Sequence, residues 1–535
     1  MSNPIHYLVA LLIALAYPTG LEPLYFAQSP FSSLIAFGVI LFGISLLSAT
    51  LYGKRCSPAL FRLLRTGIKV LNLFLFAMLI FVFHFPLFIW DQLGLEMVPG
   101  FDAALVLAPF FCLMGSHALF AARGESRIRA DGSTWKGHLI FGIRTFLAFS
   151  LFPILLLLCL QFIFGGIPAI EKISIIYPFA AWGIALSIIC LFLLFAPFYL
   201  KLAFGAPPLP KGEKRSRLES LAERSGFRYR DLLLINTSES RIANALIIGL
   251  LPHVRYVFFT STLFHQMDEG ELECVMAHEM SHGLRKHLVS YFLFTLGYLA
   301  LATGLQEILA GIGVPVAIVS ALFLLLFFAF WVLLFGYVSR RFETEADLYG
   351  ADLLEHTPES TSKATRLAQA LHRVCALNGM HPSIGSWRHY SVSQRSMILL
   401  EAESNSQIKK KWENTCSRLR LAGLAALVIS MLYGINFTMR NLERVPQARA
   451  EWEIYENASR GWKLLHEGKV EEATPLLENS LRGSHAPGEI YLLLAEAYEE
   501  LGRTREALES RRMAQKIGVT DPRFRLQLEP ISPDR

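Results

Sequence analysis

The sequence has few cysteines, and no two of them stand at a metal-binding spacing. Seven cysteines are scattered over 535 residues without a C-x-x-C motif. Cys112, Cys159 and Cys190 fall inside apolar runs, where a thiol packs as a small hydrophobic group. The pattern therefore excludes a disulfide framework and a thiolate metal site.

Charged residues are also scarce. They make up 18% of the chain, the net charge is +6, and no basic patch is interleaved with aromatic residues. A nucleic-acid-binding surface would need such a patch, so no nucleic-acid partner is predicted. Hydrophobic residues, in contrast, account for 53% of the positions and include 40 Phe. This composition is typical of a polytopic membrane protein.

Long apolar runs recur along the chain, each near the roughly 20 residues that a helix needs to cross the hydrocarbon core. They cover about 5–20, 31–52, 69–90, 102–121, 145–164, 177–200, 291–311, 315–338 and 418–437. The first run lacks a basic stretch before it and a small-residue cleavage site after it, so it predicts a span and not a signal peptide. We therefore predict an integral, multi-pass protein of the lipid bilayer.

The loops between these runs alternate in charge, and this predicts their orientation. The loops after the second and fourth runs are basic, whereas the first and third carry only acidic residues. The positive-inside rule then places the N-terminus, and the region after the sixth run, in the cytoplasm. The last run delivers the C-terminus to the opposite side, although Arg440, Arg444 and Arg449 beyond it argue against that crossing. A bacterial inner membrane is the default location, and a eukaryotic organelle is the alternative.

Residues 278–282 read His-Glu-Met-Ser-His, an H-E-x-x-H motif. On a helix, His278 and His282 lie one turn apart and face the same way. Two imidazoles on one face can bind one Zn²⁺, and Glu279 is then placed to take a proton from water at the metal. Asp268 and Glu271 predict a capping box at the start of this helix. The alternative is an exposed helix that carries two unrelated histidines.

A tetrahedral catalytic zinc needs a third protein ligand and one open position. The metzincin pattern would place a third His at position 288, but this residue is Leu288 and His287 is one place away. The sequence therefore excludes that pattern, and the third ligand has to come from elsewhere in the chain.

The better candidate is the acidic segment 339–347. Glu343 and Asp347 share one helix face there, whereas Glu345 points elsewhere. Glu343 can bind zinc, and Asp347 can support a ligand imidazole from behind. A solvated acidic face is the alternative, but the hairpin at 291–338 brings both helices back to the same membrane surface.

The H-E-M-S-H motif, followed after a transmembrane hairpin by S-R-R-F-E-T-E-A-D, resembles the M48 family of membrane metallopeptidases, which includes the HtpX and Ste24 proteases. The likeness covers about 215–400. It implies a gluzincin fold, one Zn²⁺ per chain bound by His278, His282 and Glu343, and Glu279 as the catalytic acid/base. The six N-terminal spans exceed the two of HtpX, so the subfamily and the substrate stay open.

The resemblance also indicates groups that contact the substrate or the transition state. One segment supplies His381, Arg388, His389 and Arg395. The loss of one donor to a developing oxyanion costs roughly 3 kcal/mol, but a surface Arg or a helix-capping His would look the same in sequence. Asn244 is predicted on an edge strand that pairs with an extended substrate, with an ordinary hairpin as the alternative.

Beyond residue 440 the composition becomes soluble and helical. Gly468 and Ala473 recur 34 residues later as Gly502 and Ala507, which is the period of tetratricopeptide helix pairs. Two units are fewer than the roughly three usually needed for independent stability. We predict that this region binds a protein partner or contacts loops of the protease itself.

These patterns together predict a mainly α fold with polytopic membrane helices, a gluzincin-type α+β peptidase domain and C-terminal tetratricopeptide helical repeats. The predicted boundaries are 1–205 for about six N-terminal spans, 206–290 and 339–415 for the two parts of the peptidase domain, 291–338 for the hairpin, 416–440 for the last span and 441–535 for the repeats.

The predicted activity is zinc-dependent hydrolysis of peptide bonds in membrane or membrane-associated proteins at the cytoplasmic face, for quality control or processing. The alternative is a catalytically inactive membrane scaffold that acts through its tetratricopeptide region. A transporter is disfavoured, because the N-terminal runs show no internal repeat and no Gly/Pro breaks at matched positions.

Overall fold

The computed structural model describes residues 5–16, 30–54, 56–89, 93, 101–129, 131–355, 362–481 and 487–518. The fold is mainly α, which confirms the prediction from composition. Two compact units are present, one formed by residues 1–166 with 185–433 and the other by 167–184 with 434–535. Each unit is described by itself.

Long apolar helices form the N-terminal part of the chain. Their bounds are α1 Ile5–Ala16, α2 Pro30–Gly53, α3 Pro58–Phe81, α4 Phe85–Leu87, α5 Phe101–Val106, α6 Ala108–Arg129, α7 Trp135–Phe146, α8 Phe152–Gly166, α9 Pro168–Ile176 and α10 Pro178–Phe204. A π-helical turn at Leu147–Leu151 joins α7 to α8. Aromatic side chains fill the interior, where the buried rings of Phe76 and Phe110 lie 5.4 Å apart.

Eight helices of the described residues are long and apolar enough to cross a membrane. They are Phe31–Gly53, Pro58–Phe81, Phe101–Arg129, Trp135–Gly166, Pro178–Phe204, His287–Gln306, Leu325–Leu353 and Ser406–His466. The run predicted at about 5–20 is helical over Ile5–Ala16, and the rest of it lies outside the described residues. The chain is an integral, multi-pass membrane protein.

A small mixed sheet begins the region after the N-terminal helices. The elements are α11 Glu213–Arg224, β1 Asp231–Ile235, β2 Ala245–Ile248, β3 Tyr256–Thr260, α12 Ser261–Gln266 and α13 Glu269–Leu284. β3 lies in the centre, parallel to β1 and antiparallel to β2. All five residues of β3 are buried, as expected for a central strand covered on both faces. β2 is therefore an edge strand.

The helical hairpin leads from α13 to the second acidic segment. Its helices are α14 His287–Gly311 and α15 Val316–Ala329, and a π-helical turn at Phe330–Phe335 joins α15 to α16 Gly336–Leu353. α17 Lys363–Leu377 and α18 Val392–Ser404 follow. α16 packs closely on α13 because Gly350 has no side chain: a Cβ there would lie 3.1 Å from the backbone nitrogen of His278.

One helix, α19 Ser406–His466, continues for 61 residues. It contains the last predicted span and extends past the predicted domain boundary at residue 440 without a break. Within the membrane segment it packs on α14 through small residues. A Cβ on Gly297 would lie 2.6 Å from that of Ala426, so glycine is required at this crossing.

The second unit contains α9, the end of α19, and the helices α20 Val470–Ser480, α21 Gly488–Glu500 and α22 Thr504–Ile517. Ala473 and Ala507 are buried where these helices cross, and Gly468 and Gly502 share a positive φ of 74° and 71°. The tetratricopeptide assignment stays a prediction, which these equivalent conformations support.

Candidate metal centre

The motif helix α13 is capped as predicted. Asp268 accepts a hydrogen bond from the backbone nitrogen of Glu271 at 2.8 Å, and the Glu271 side chain accepts one from the backbone nitrogen of Asp268 at 3.1 Å. This confirms the capping box. Leu272, Met276 and Met280 are completely buried, so the apolar face of α13 is fixed in the core.

Three side chains lie close together: His278 and His282 from α13, and Glu343 from α16. His278 Nε2 lies 3.4 Å from His282 Nε2 and 3.5 Å from Glu343 Oε2, and His282 Nε2 lies 3.7 Å from Glu343 Oε1. A tetrahedral zinc with bonds of 2.0–2.1 Å would hold its ligand atoms roughly 3.3–3.4 Å apart. Two imidazole nitrogens and one carboxylate at this spacing fit a zinc ion.

Glu343 is buried yet ionised. Burial opposes its charge, but His389, His282 and His278 together hold the pKa of the carboxyl well below its usual range. His389 Nδ1 lies 3.1 Å from Glu343 Oε2. The structure thus adds a third imidazole beside the predicted ligands, on the loop before α18.

His278 contacts a buried ion pair formed by Asp347 and Arg395. His278 Nδ1 lies 2.9 Å from Asp347 Oδ1, on the side of the ring opposite Glu343. Arg395 donates to both Asp347 oxygens, at 2.7 and 2.6 Å. Burial by itself raises the pKa of Asp347, but the Arg395 guanidinium and His278 together lower the pKa by a larger amount. The pKa of this carboxyl is therefore below its usual value. The structure therefore places Asp347 behind a ligand imidazole, and Arg395 behind Asp347.

Glu279 lies between the ligand residues and the edge strand β2. Burial raises the pKa of its carboxyl, an effect that nearby His278 partly opposes. The backbone N–H of Ile247 on β2 donates a hydrogen bond to it. A carboxylate with a raised pKa is a better proton acceptor at neutral pH than an ordinary one.

A further buried carboxylate, Glu345, was not predicted to take part. Arg285 and Arg420 each donate to it, with shortest distances of 2.6 Å, and His287 Nε2 lies 2.8 Å from its Oε2. Burial opposes ionisation, but these hydrogen bonds lower the pKa of Glu345 to about 2. The four-residue spacing in the acidic segment did not indicate this role, because the partners of Glu345 follow the end of α13 or lie on α14 and α19.

The pKa of Glu345 predicts how acid destabilises this region. A Glu carboxyl has a pKa of roughly 4.3 in an unfolded chain and about 2 here. The ionised carboxylate therefore stabilises the fold above pH ~4.3, and this contribution is lost as the pH falls toward about 2. We expect Glu345→Gln to melt below the wild type at neutral pH and the two melting temperatures to converge in this window. A constant difference between the two proteins from neutral pH to about pH 2 would contradict this.

Other predicted contacts lie elsewhere. His381 is exposed, with its Nδ1 2.7 Å from the Ser383 hydroxyl. Arg388 is exposed and stands 5.9 Å from the ring centre of Trp387. Among the described residues, no hydrogen bond or ion pair joins either of them to the three candidate ligands. Asn244 directly precedes β2, and its backbone pairs with Thr260 at 2.9 Å.

Comparison with known proteins extends this picture. Residues 208–444 match peptidase family M48. The chain is 30% identical to CAAX prenyl protease 1 of Saccharomyces cerevisiae over 121 residues, which are 22% of this chain and 25% of that protein. It is also 30% identical to a Protease HtpX homolog of Pyrobaculum aerophilum over 173 residues, 29% of this chain and 46% of that one.

Two further proteins are similar to this chain. The uncharacterized metalloprotease YhfN of Bacillus subtilis is 29% identical over 235 residues, 36% of this chain and 53% of that one. The solved structure of S. mikatae Ste24p aligns with a TM-score of 0.39 at 17% identity, over 73% of this chain and 98% of that one. The chain thus spans between a quarter and about half of the length of these curated relatives. The chain is a multi-pass membrane protein whose residues 208–444 match peptidase family M48.

Proposed function

We propose that the protein is a zinc-dependent endopeptidase that cleaves membrane or membrane-associated polypeptides. One observation carries the proposal: His278, His282 and Glu343 hold their ligand atoms 3.4–3.7 Å apart, with Glu279 on the same helix as the two histidines. A structural zinc site needs no acid/base group next to its ligands, and it usually has four protein ligands. The three-ligand arrangement favours catalysis.

Bound zinc would supply a Lewis acid and a water of near-neutral pKa. Glu279 accepts the proton of the attacking water and returns it to the leaving amine. Its raised pKa suits both transfers. An extended substrate adds a strand to the edge of β2 that faces away from β3, the edge on which the backbone N–H of Ile247 donates to Glu279.

His389 is the group best placed to hold charge that develops on the substrate. Its Nδ1 lies 3.1 Å from Glu343, so its imidazole borders the three candidate zinc ligands. Arg395 acts indirectly, because both of its hydrogen bonds to Asp347 hold the residue behind His278. Substrate contacts by His381, Arg388 and Asn244 stay part of the proposal.

The position of the centre along the chain supports a membrane-anchored substrate. His282 is followed within five residues by the apolar helix α14, and Glu343 lies about two turns after the π-helical end of the hairpin. At 1.5 Å per residue, both ligand segments begin within roughly 10 Å of membrane-crossing helices. The site therefore works at the bilayer surface, which the positive-inside rule assigns to the cytoplasm.

The C-terminal helices are proposed to recruit a protein partner from the opposite side of the membrane. The apolar run at about 418–437 within α19 supports this, because one further span reverses the side of the membrane on which the chain continues. Within the second unit, α9 contacts the same end of α19: Tyr455 donates to Glu171 at 3.1 Å, and Arg449 donates to the Tyr177 hydroxyl at 2.5 Å.

Removal of zinc is expected to stop cleavage. The full chain, purified in detergent, is incubated with an unfolded reporter protein before and after treatment with a zinc chelator. Hydrolysis should fall to the level of a chain-free control and return when Zn²⁺, but not Mg²⁺, is added back. Two imidazoles and one carboxylate bind zinc more tightly than magnesium, because magnesium binds mainly to oxygen ligands. Full activity in protein shown to be metal-free would rule out the proposed function.

A further inference from the structure

We propose that His287 and Glu345 are positioning residues for the zinc ligand His282, and that they fix which ring nitrogen of His282 faces the metal. The inference rests on the proposed function only in taking His282 as a ligand. His278 is already supported by the carboxylate of Asp347, and His282 would be supported in a similar way by His287 and Glu345. Both of these residues lie outside the H-E-x-x-H motif.

The contacts form a continuous chain. His282 Nδ1 lies 3.0 Å from His287 Nδ1, and His287 Nε2 lies 2.8 Å from Glu345 Oε2. The His287 ring is completely buried. It stacks on Phe342 with ring centres 4.4 Å apart and an angle of 2° between the planes. The ring is therefore held in one orientation by packing and by hydrogen bonds at both nitrogens.

The direction of these hydrogen bonds follows from the chemistry of the groups. The Glu345 carboxylate is ion-paired with Arg285 and Arg420 and can only accept, so His287 Nε2 donates to it. In the neutral ring, His287 Nδ1 is then the acceptor, and His282 Nδ1 has to donate. The lone pair of His282 is left on Nε2, which faces His278 and Glu343. The carboxylate thus sets the ligand tautomer through an intervening ring.

Glu345 is itself fixed by helices on two sides. Arg285 follows the end of α13 and donates at 2.6 and 3.1 Å, while Arg420 near the start of α19 donates at 2.6 and 3.0 Å. Glu345 is only 2% exposed. Since Arg420 lies on the last membrane helix, the orientation of His282 depends on how α19 is seated against α14 and α16.

The same arrangement stands behind the other imidazole ligand. There a carboxylate, Asp347, lies 2.9 Å from His278 Nδ1 and is held by Arg395. Each histidine ligand is thus supported by an Arg-bound carboxylate of α16, directly for His278 and through His287 for His282. Residues that orient metal ligands in this way commonly contribute about 10- to 100-fold to metal affinity.

The test measures zinc affinity, by competition between the full-length protein and a chromogenic chelator. His287→Phe keeps the ring that stacks on Phe342 but removes both hydrogen bonds, so zinc should bind about 10- to 100-fold more weakly. His287→Gln can accept from His282 through its oxygen and donate to Glu345 through its nitrogen, so it should recover most of the affinity. Tyr291→Phe, in the same ring cluster, is the control and should bind zinc like the wild type.

Cobalt provides a second readout. The visible absorption of bound Co²⁺ reports ligand geometry, and it should change in His287→Phe and in Glu345→Gln but not in Tyr291→Phe. If His287→Phe does not fold, Glu345→Gln tests the inference by itself. An amide can donate as well as accept, so it no longer determines which nitrogen of His287 carries the proton.

Two results would overturn the inference. One is wild-type zinc affinity in His287→Phe or in Glu345→Gln. The other is an equal loss in His287→Phe and His287→Gln, which would assign His287 a packing role only. Both outcomes concern metal binding and leave the proposed peptidase activity standing. Conversely, an inactive but zinc-binding wild type would remove the proposed function and leave the positioning role intact.

Discussion

Glu279→Gln is expected to lower the rate of peptide hydrolysis by about 10²- to 10⁴-fold while the protein still binds one zinc ion. Gln has the size of Glu and keeps a hydrogen-bond acceptor for the Ile247 N–H, but it cannot take a proton from water. The three ligand residues are unchanged, so metal content should be unchanged too. Initial rates and metal analysis on the same preparation measure both quantities.

Glu273→Gln is the matched control for this variant. Glu273 lies six residues earlier on the same helix and pairs with Arg366 at 3.6 Å. The same substitution there should leave hydrolysis unchanged. If Glu279→Gln cleaves as fast as the wild type, Glu279 is not the acid/base. If the wild type binds zinc but hydrolyses no unfolded protein, the result favours the interpretation of the chain as an inactive scaffold.

Arg395→Met is expected to destabilise the peptidase domain by about 3–5 kcal/mol, since it leaves the Asp347 carboxylate buried without its partner. Asp347 is 2% exposed and Arg395 11%, so solvent cannot replace the two lost hydrogen bonds. Zinc affinity should fall as well, because Asp347 is then free to leave His278. Denaturant unfolding of the purified protein, followed together with zinc binding, measures both effects.

An exposed ion pair gives the comparison. Lys409 and Asp352 also form a short contact, but their side chains are 32% and 49% exposed. Lys409→Met should therefore change the unfolding free energy by only about 0–1 kcal/mol. The double variant Asp347→Asn with Arg395→Met should regain part of the lost stability, because the unpaired charge is gone, but not the zinc affinity. Equal effects of Arg395→Met and Lys409→Met on stability would refute the structural role assigned to Arg395.

Much of the fold follows from patterns with a short period. Apolar runs of sufficient length predict membrane helices, and the capping box at Asp268 and Glu271 marks the start of α13. The four-residue spacing places His278 beside His282 and Glu343 beside Asp347. Sequence alone places these pairs on two helices, whereas the distances between the helices depend on tertiary packing, such as the glycine contact at Gly350.

Other features of the site depend on contacts that no local pattern encodes. Glu345 lies 58 residues from His287 and 75 from Arg420, so its role could not be read from spacing. The segment before α18 offers His381 and His389, and only the fold decides that His389 faces Glu343. The composition change near residue 440 predicted a domain boundary. The helix α19 nevertheless continues through this position to His466, shortly before Gly468, and it includes Pro446.

The hairpin α14–α15 separates the motif helix from the helix that supplies Glu343. The two halves of the centre can meet only after both of these apolar helices have found their place in a bilayer. A newly synthesised chain that has not yet been inserted holds two histidines without their carboxylate, and a site of that kind binds metal poorly. Insertion of the hairpin is therefore a precondition for assembly of the proposed metal centre.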